Sequence, residues 1–183
     1  MKYIKKFLEV LFKWKFKPVS EKKYREADAI VTQAYSVLKN GKPGPGNELI
    51  AKTAKALSQM YRLPVLTQSE IELADDSLLY VYIYRGQTGG HSTMACNTYT
   101  ITEAQASFCK KRGWKKIIVV AFPLHMGRAI WTYQLFGLET MPANMPKTGY
   151  AHSELIHWSH RKEWLFFLRE ILVRVFFFLQ KKI

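Results

Sequence analysis

The residues best suited to chemistry are His125 and Arg128 in the stretch His125-Met126-Gly127-Arg128-Ala129, which follows the apolar run from Ile117 to Phe122. The run reads as a buried strand and the stretch as the opening of a helix. An open α/β sheet places ligands where a parallel strand empties into a helix start, because free backbone N–H groups and the helix dipole favour an anion there. Arg128 offers a planar fork of donors that suits phosphate or carboxylate. His125 offers a hydrogen bond or a general acid near neutral pH. A plainer arrangement uses the same two residues: His125 caps the helix, and Arg128 pairs with a carboxylate on a neighbouring segment.

Other candidates are weaker. Gly86, Gly89 and Gly90 would let backbone approach a phosphate, yet the run contains neither G-x-G-x-x-G nor G-K-[ST], and a mobile loop explains it as well. Gln68-Ser69-Glu70 follows a strand and sits where ligand contacts are expected, although a polar turn fits equally. His157 and His160 are three apart with Glu154 and His152 nearby, but no further motif fixes a tetrahedral zinc site, and no metal is expected. Cys96 and Cys109 form no C-x-x-C pair, and neither has a base at diagnostic spacing.

The elements that must position these residues can be read from periodicity and punctuation. Residues 2–17 form an amphipathic stripe of Ile4, Phe7, Leu8, Leu11 and Trp14, ended by Pro18, and Ser20 opens a second short helix. Ala29 to Tyr35 fits a first strand, although its apolar positions also fit a helix from Tyr24 to Leu38. The stretch 39–46 is a loop, with Gly or Pro at nearly every other position. It leads to a helix over 47–61, strands at 64–68 and 78–84, a helix over 101–112, a strand at 116–122, a helix over 126–136 and a short strand at 138–141. A long helical tract then runs from about Ser153 to Lys181. Strands alternating with helices imply parallel pairing through right-handed crossovers, hence an α/β, Rossmann-like, doubly wound, mainly parallel sheet with amphipathic N- and C-terminal helices. Residues 1–20 form the N-terminal helix and 21–183 one domain.

Composition limits the partners. The chain has 183 residues, 28 Lys and Arg against 14 Asp and Glu, and a formal charge of +14, so its field attracts anions. At 48% hydrophobic content it is no disordered basic tail. Charge interrupts the first segment before a secretory core develops, and no uncharged span of roughly 20 residues exists. The expectation is a protein that lies on a membrane rather than crossing it. The nearly all-round apolar segments Trp164 to Leu168 and Val175 to Leu179 suit either a buried helix or one that meets lipid, with Lys181 and Lys182 at the headgroups.

The order T-x-x-E-A at Thr100 to Ala104, helix, basic turn Trp114-Lys115-Lys116, apolar strand, H-x-x-R-A at His125 to Ala129, helix and Gly137 resembles the SanA/YdcF-like family of bacterial envelope proteins. The resemblance spans roughly 28–180 and is densest in 98–180, where Arg169-Glu170-Ile171-Leu172-Val173-Arg174 looks like the family's R-E-x-x-A-R helix. The family's glycine after the first strand and its arginine opening the first helix are missing near Thr32 and Asn47. The resemblance implies a Rossmann-like fold, a role in the cell envelope, and Thr100 and Glu103 beside the His/Arg loop at the carboxyl edge of the sheet. Glu103 would then orient His125 or activate water; a helix-capping pair with Thr100 is the alternative. The resemblance names no cofactor; S-adenosylmethionine is one ligand it makes worth testing.

Two readings follow. One is a protein on the cytoplasmic membrane face that binds a phosphorylated or nucleotide-like small molecule. If it turns that molecule over, phosphoester hydrolysis or transfer fits, with His125 and Glu103 as the catalytic groups and Arg128, Thr100, Gln68 and Gly86 as ligand contacts. The other is a non-enzymatic basic adaptor for nucleic acid or a partner protein. Nucleic acid is disfavoured because the chain carries no recognisable nucleic-acid module.

Overall fold

The computed structural model describes residues 19–72, 74–75, 80–84, 98–146 and 149–179. The expected helix at 2–17, Gly86, Gly89, Gly90 and Cys96 lie outside these residues. A one-turn helix, α1 (Glu21–Tyr24), precedes β1 (Ala29–Thr32), α2 (Pro45–Tyr61), β2 (Val65–Gln68) and the short α3 (Ser69–Glu72). Then come β3 (Tyr80–Tyr84), α4 (Thr98–Lys111), β4 (Lys116–Val120), α5 (Pro123–Leu135) and β5 (Glu139–Pro142). A 3-10 turn at Trp158–His160 leads into α6 (Glu163–Leu179).

The five strands form one all-parallel sheet in the order β3-β2-β1-β4-β5. This is an α/β, Rossmann-like, doubly wound fold. Both faces are buried, which is why β1 and β4 read as largely apolar runs rather than as alternating strands. Ile30, Val65, Ile118 and Val120 pack toward Ile50, Ala51 and Ala54 of α2 on one face. Ala29, Val31, Leu66, Ile117 and Val119 pack toward Ala106 and Cys109 of α4 and Ala129, Ile130 and Tyr133 of α5 on the other. Gly113 and Gly137, at φ 72° and 77°, follow α4 and α5 in the left-handed conformation that turns each helix end into the next strand.

The chain departs from sequence expectation at several places near the carboxyl edge of the sheet, among them α5, which begins at Pro123 rather than at residue 126 and so takes His125 inside the helix. β1 stops at Thr32, because side chains then replace the neighbouring strand as acceptors: Ala34 N–H donates to Gln68 Oε1 at 2.6 Å and Tyr35 N–H to Asn47 Oδ1 at 2.8 Å. α4 begins at Thr98, so Thr100 lies inside the helix rather than at its cap. The C-terminal helix begins ten residues later than expected, at Glu163 rather than Ser153. Residues 154–156 instead spend their backbone on the loop after β1: Lys39 N–H donates to Glu154 O at 2.9 Å and Ile156 N–H to Val37 O at 2.9 Å. His157 and His160 consequently border a 3-10 turn rather than sharing a face of an α-helix.

Candidate functional site

Two buried polar groups occupy the carboxyl edge of the sheet, and the topology brings both there. The strand order reverses between β1 and β4, so Gln33 and Tyr35 leave β1 next to the residues that leave β4, while α4 and α5 present their first turns to the same edge.

The first group is uncharged. Thr32 and Thr67 hydroxyls lie 2.7 Å apart across β1 and β2. Gln33 Nε2 donates to Tyr133 Oη at 2.9 Å, and Tyr133 donates in turn to Gln105 Oε1. Gln105 Nε2 reaches the carbonyls of Thr32 at 3.4 Å and Thr67 at 3.3 Å. These partners satisfy one another inside the core, and the network braces the ends of β1 and β2 against α4 and α5.

The second group is charged and centres on Glu170, which α6 buries completely. Arg128 donates to both carboxylate oxygens, from Nε at 2.8 Å and from Nη2 at 3.0 Å, and its Nη1 donates to the Thr98 hydroxyl. Arg174, one turn beyond Glu170, donates through Nε at 3.4 Å, reaches the Leu124 carbonyl at 3.2 Å, and lies over the Trp131 ring. His125 Nδ1 is 3.8 Å from Glu170 Oε2, beyond hydrogen-bond reach, and has no hydrogen-bond partner among the described residues. Its Nε2 lies 3.5 Å from the Thr98 hydroxyl.

Burial and like charge set the protonation states. Burial, followed by the Arg128 charge, depresses the His125 pKa to about 4, so the ring is neutral at pH 7. Burial opposes ionisation of Glu170, but the charge of Arg128 and the contacts around the carboxylate override it and hold the group below the usual glutamate range. Burial, with the Arg169 charge next, depresses His160 to about 2. His160 packs against Tyr35 with centroids 4.5 Å apart and against Phe166 at 5.0 Å, and the exposed His157 ring lies 5.3 Å from it.

The structure brings His125 and Arg128 together, and Arg128 takes the plainer of its two arrangements, its fork engaged by Glu170. A neutral His125 is a hydrogen-bonding group at pH 7 rather than a proton source. Glu103 stands exposed in the second turn of α4, and the carboxylate next to the His125 ring is that of Glu170. Thr100 is half-buried in the first turn of α4, where the neighbouring Thr98 supplies the hydroxyl of the charged group. Gln68 is buried and holds Ala34 N–H. Pro123, first in α5, has no N–H to offer an anion. Cys109 is buried, and burial raises its thiol to about 12, leaving it unreactive. Among the described residues, no group of three or more His, Cys, Asp and Glu could hold a metal ion.

Sequence reasoning about the site missed Glu170, Arg169, Arg174, Thr98 and Tyr35. A signal was present: Arg169, Glu170 and Arg174 interrupt an apolar helix, and Glu170 and Arg174 do so at the four-residue spacing that places them on one face with Phe166. No protein-family model, curated protein or solved structure matches the chain.

Proposed function

We propose that this protein binds a phosphorylated or nucleotide-like small molecule at the carboxyl edge of its sheet, on the inner face of a bacterial membrane, as part of cell-envelope metabolism. The observation that carries the reading is the charge of the buried cluster. Arg128 and Arg174 bond to Glu170, and Arg169, its neighbour in α6, adds a third positive charge that interacts with the same carboxylate. An excess of guanidinium groups at a sheet edge of this topology favours an anionic ligand. Binding rather than turnover is the reading, because His125 is neutral and the carboxylate next to it, Glu170, is taken up by Arg128.

Membrane attachment rests on α6. Its inward stripe is Phe166, Glu170 and Arg174, whereas Trp164, Leu168, Leu172 and Phe176 are 58%, 49%, 71% and 55% exposed on its outer side. A row of large apolar side chains facing outward on a chain of charge +14 suits an anionic lipid surface. Among the described residues no helix is long and apolar enough to cross a membrane.

The test is a titration with nucleoside mono- and diphosphates and sugar phosphates, followed by backbone NMR. Shifts should cluster at Thr98, His125, Arg128 and Arg169. Absence of any such shift, together with nucleic-acid binding of steep salt dependence, would replace this reading with the basic adaptor.

A further inference from the structure

All five strands run parallel, so the segments that enter them meet at the amino edge of the sheet, the end opposite the Glu170 cluster. Asp28, just before β1, accepts the backbone N–H groups of Lys115 and Lys116 at 2.7 and 2.8 Å, and Glu26 pairs with Lys116 Nζ at 2.8 Å. Glu139, exposed at the start of β5, is the third carboxylate next to these strand ends. Around them stand exposed cations from four segments: Lys23 and Arg25 ahead of β1, Arg62 ahead of β2, Lys110 and Arg112 where α4 ends, and Lys115 ahead of β4. None of these six forms an ion pair among the described residues. Helix dipoles favour cations at this edge, yet the last turns of α2 and α5, which also end here, carry none. Arg62 is the more telling residue. It caps α2 at φ 55°, the one positive-φ residue other than glycine among the described residues, whereas α4 and α5 end at this edge with Gly113 and Gly137. Glycine takes that conformation without steric cost, so an arginine there keeps a guanidinium at the edge against the backbone's preference.

We propose that the amino edge binds the phosphate backbone of a nucleic acid without reading its sequence. β2, β1 and β4 are neighbours in the sheet, so the segments that carry Arg62, Arg25 and Lys115 enter it at successive steps of about 4.8 Å. The result is a row of positive charge, which a linear polyanion matches better than a single small anion does. Backbone phosphates are held by Lys and Arg through charge, so no recognition helix or other nucleic-acid module is required. An anionic membrane suits this face less well. The exposed large apolar side chains here, Met60 and Leu135, stand on the last turns of α2 and α5, which cover opposite faces of the sheet, so they form no continuous apolar strip. The apolar row of α6 belongs to the other edge, where Phe166 packs on Phe122 just beyond β4. A membrane held by that row leaves the amino edge facing away from it. The contact is independent of the small-molecule reading above. DNA and RNA present the same phosphates.

The test measures fluorescence anisotropy of short labelled DNA and RNA, single-stranded and duplex, with the full chain, with Arg62→Gly, and with Arg62→Gly, Arg112→Gln and Lys115→Gln combined, between about 50 and 200 mM salt. The parent should bind with an affinity that falls steeply as salt rises. Arg62→Gly should unfold at the same temperature as the parent or higher, yet bind more weakly, with a log–log salt slope shallower by about 0.7 to 0.9, the share of one phosphate contact. The combined variant should bind at least about 10-fold more weakly, with a slope that is shallower still. Tighter binding of RNA or of DNA by the parent names the nucleic acid. A parent that binds no oligonucleotide, or a combined variant with the parent's affinity and slope, would overturn the proposal. So would a parent that binds only phosphatidylglycerol vesicles and loses flotation in the combined variant, which would assign the edge to lipid. Backbone shifts of Thr98, His125 and Arg128 on adding small phosphates should be the same in the combined variant as in the parent, so failure at the amino edge leaves the carboxyl-edge reading standing.

Discussion

Arg128 grips both oxygens of the buried Glu170, so its removal leaves a buried carboxylate with Arg174 as its remaining hydrogen-bonded arginine. Breaking a buried pair from one side costs about 3–5 kcal/mol. Arg128→Ala should lose that much stability in urea unfolding, and Arg128→Ala combined with Glu170→Ala should lose less than the sum of the single changes; additivity would show that the pair is not coupled. The neighbouring imidazoles predict a pH dependence. In the unfolded chain each takes up a proton as pH falls through about 6.5. In the folded protein His125 waits until about 4 and His160 until about 2. The unfolded state therefore binds more protons in that window, and stability is full above pH 6.5 and falls as pH drops toward the folded values. Each imidazole lowers the folding constant about tenfold per pH unit there. Unfolding curves at pH 7 and pH 5 measure this, and His160→Phe should remove its share of the slope. Glu170, held low, joins the loss when pH drops through and below the ordinary glutamate range.

At the level of elements, α4 and α5 owe their angle to the sheet to a small set of satisfied polar groups as well as to apolar packing. Tyr133 on α5 joins Gln33 after β1 to Gln105 on α4. Tyr133→Phe keeps the ring and removes the hydroxyl, leaving Gln33 Nε2 and Gln105 Oε1 without it, which should cost about 1–3 kcal/mol. Chemical denaturation checks the figure, and a variant as stable as the parent would mean that water replaces the hydroxyl. Close approach matters as well. A Cβ on Gly46 would come within 2.8 Å of Tyr35 Cδ1, so this glycine lets the first turn of α2 lie against the aromatic cluster formed with Phe122 and Phe166.

The whole molecule presents a charge of +14 and an outer apolar row on α6. If this row meets lipid, Leu168→Ser with Leu172→Ser should leave the unfolding temperature nearly unchanged, since both side chains are exposed, while reducing flotation with anionic vesicles. Binding of the parent should need anionic lipid and weaken with salt. A parent that stays in the soluble fraction with phosphatidylglycerol vesicles would refute the membrane contact.

The sheet was legible in the amino-acid order because both its faces are buried. Ala29 to Thr32, Val65 to Gln68 and Lys116 to Val120 are short β-rich runs, and helical periodicity with Gly113 and Gly137 delimits what lies between them. Local patterns of this kind report local structure. His125 and Arg128 were legible too, since a strand running into a helix start marks a sheet edge whatever surrounds it. Their partner was not. Glu103, 22 residues before His125, matched the motif, yet it faces solvent, while Glu170, 42 residues beyond Arg128, closes the ion pair. Pairing across that distance depends on where α6 crosses α5, and this depends on residues 154–156 bonding to the loop after β1 instead of extending the helix. No periodicity along the chain encodes that choice, because it is made by backbone groups of two segments more than a hundred residues apart that only the tertiary fold brings together.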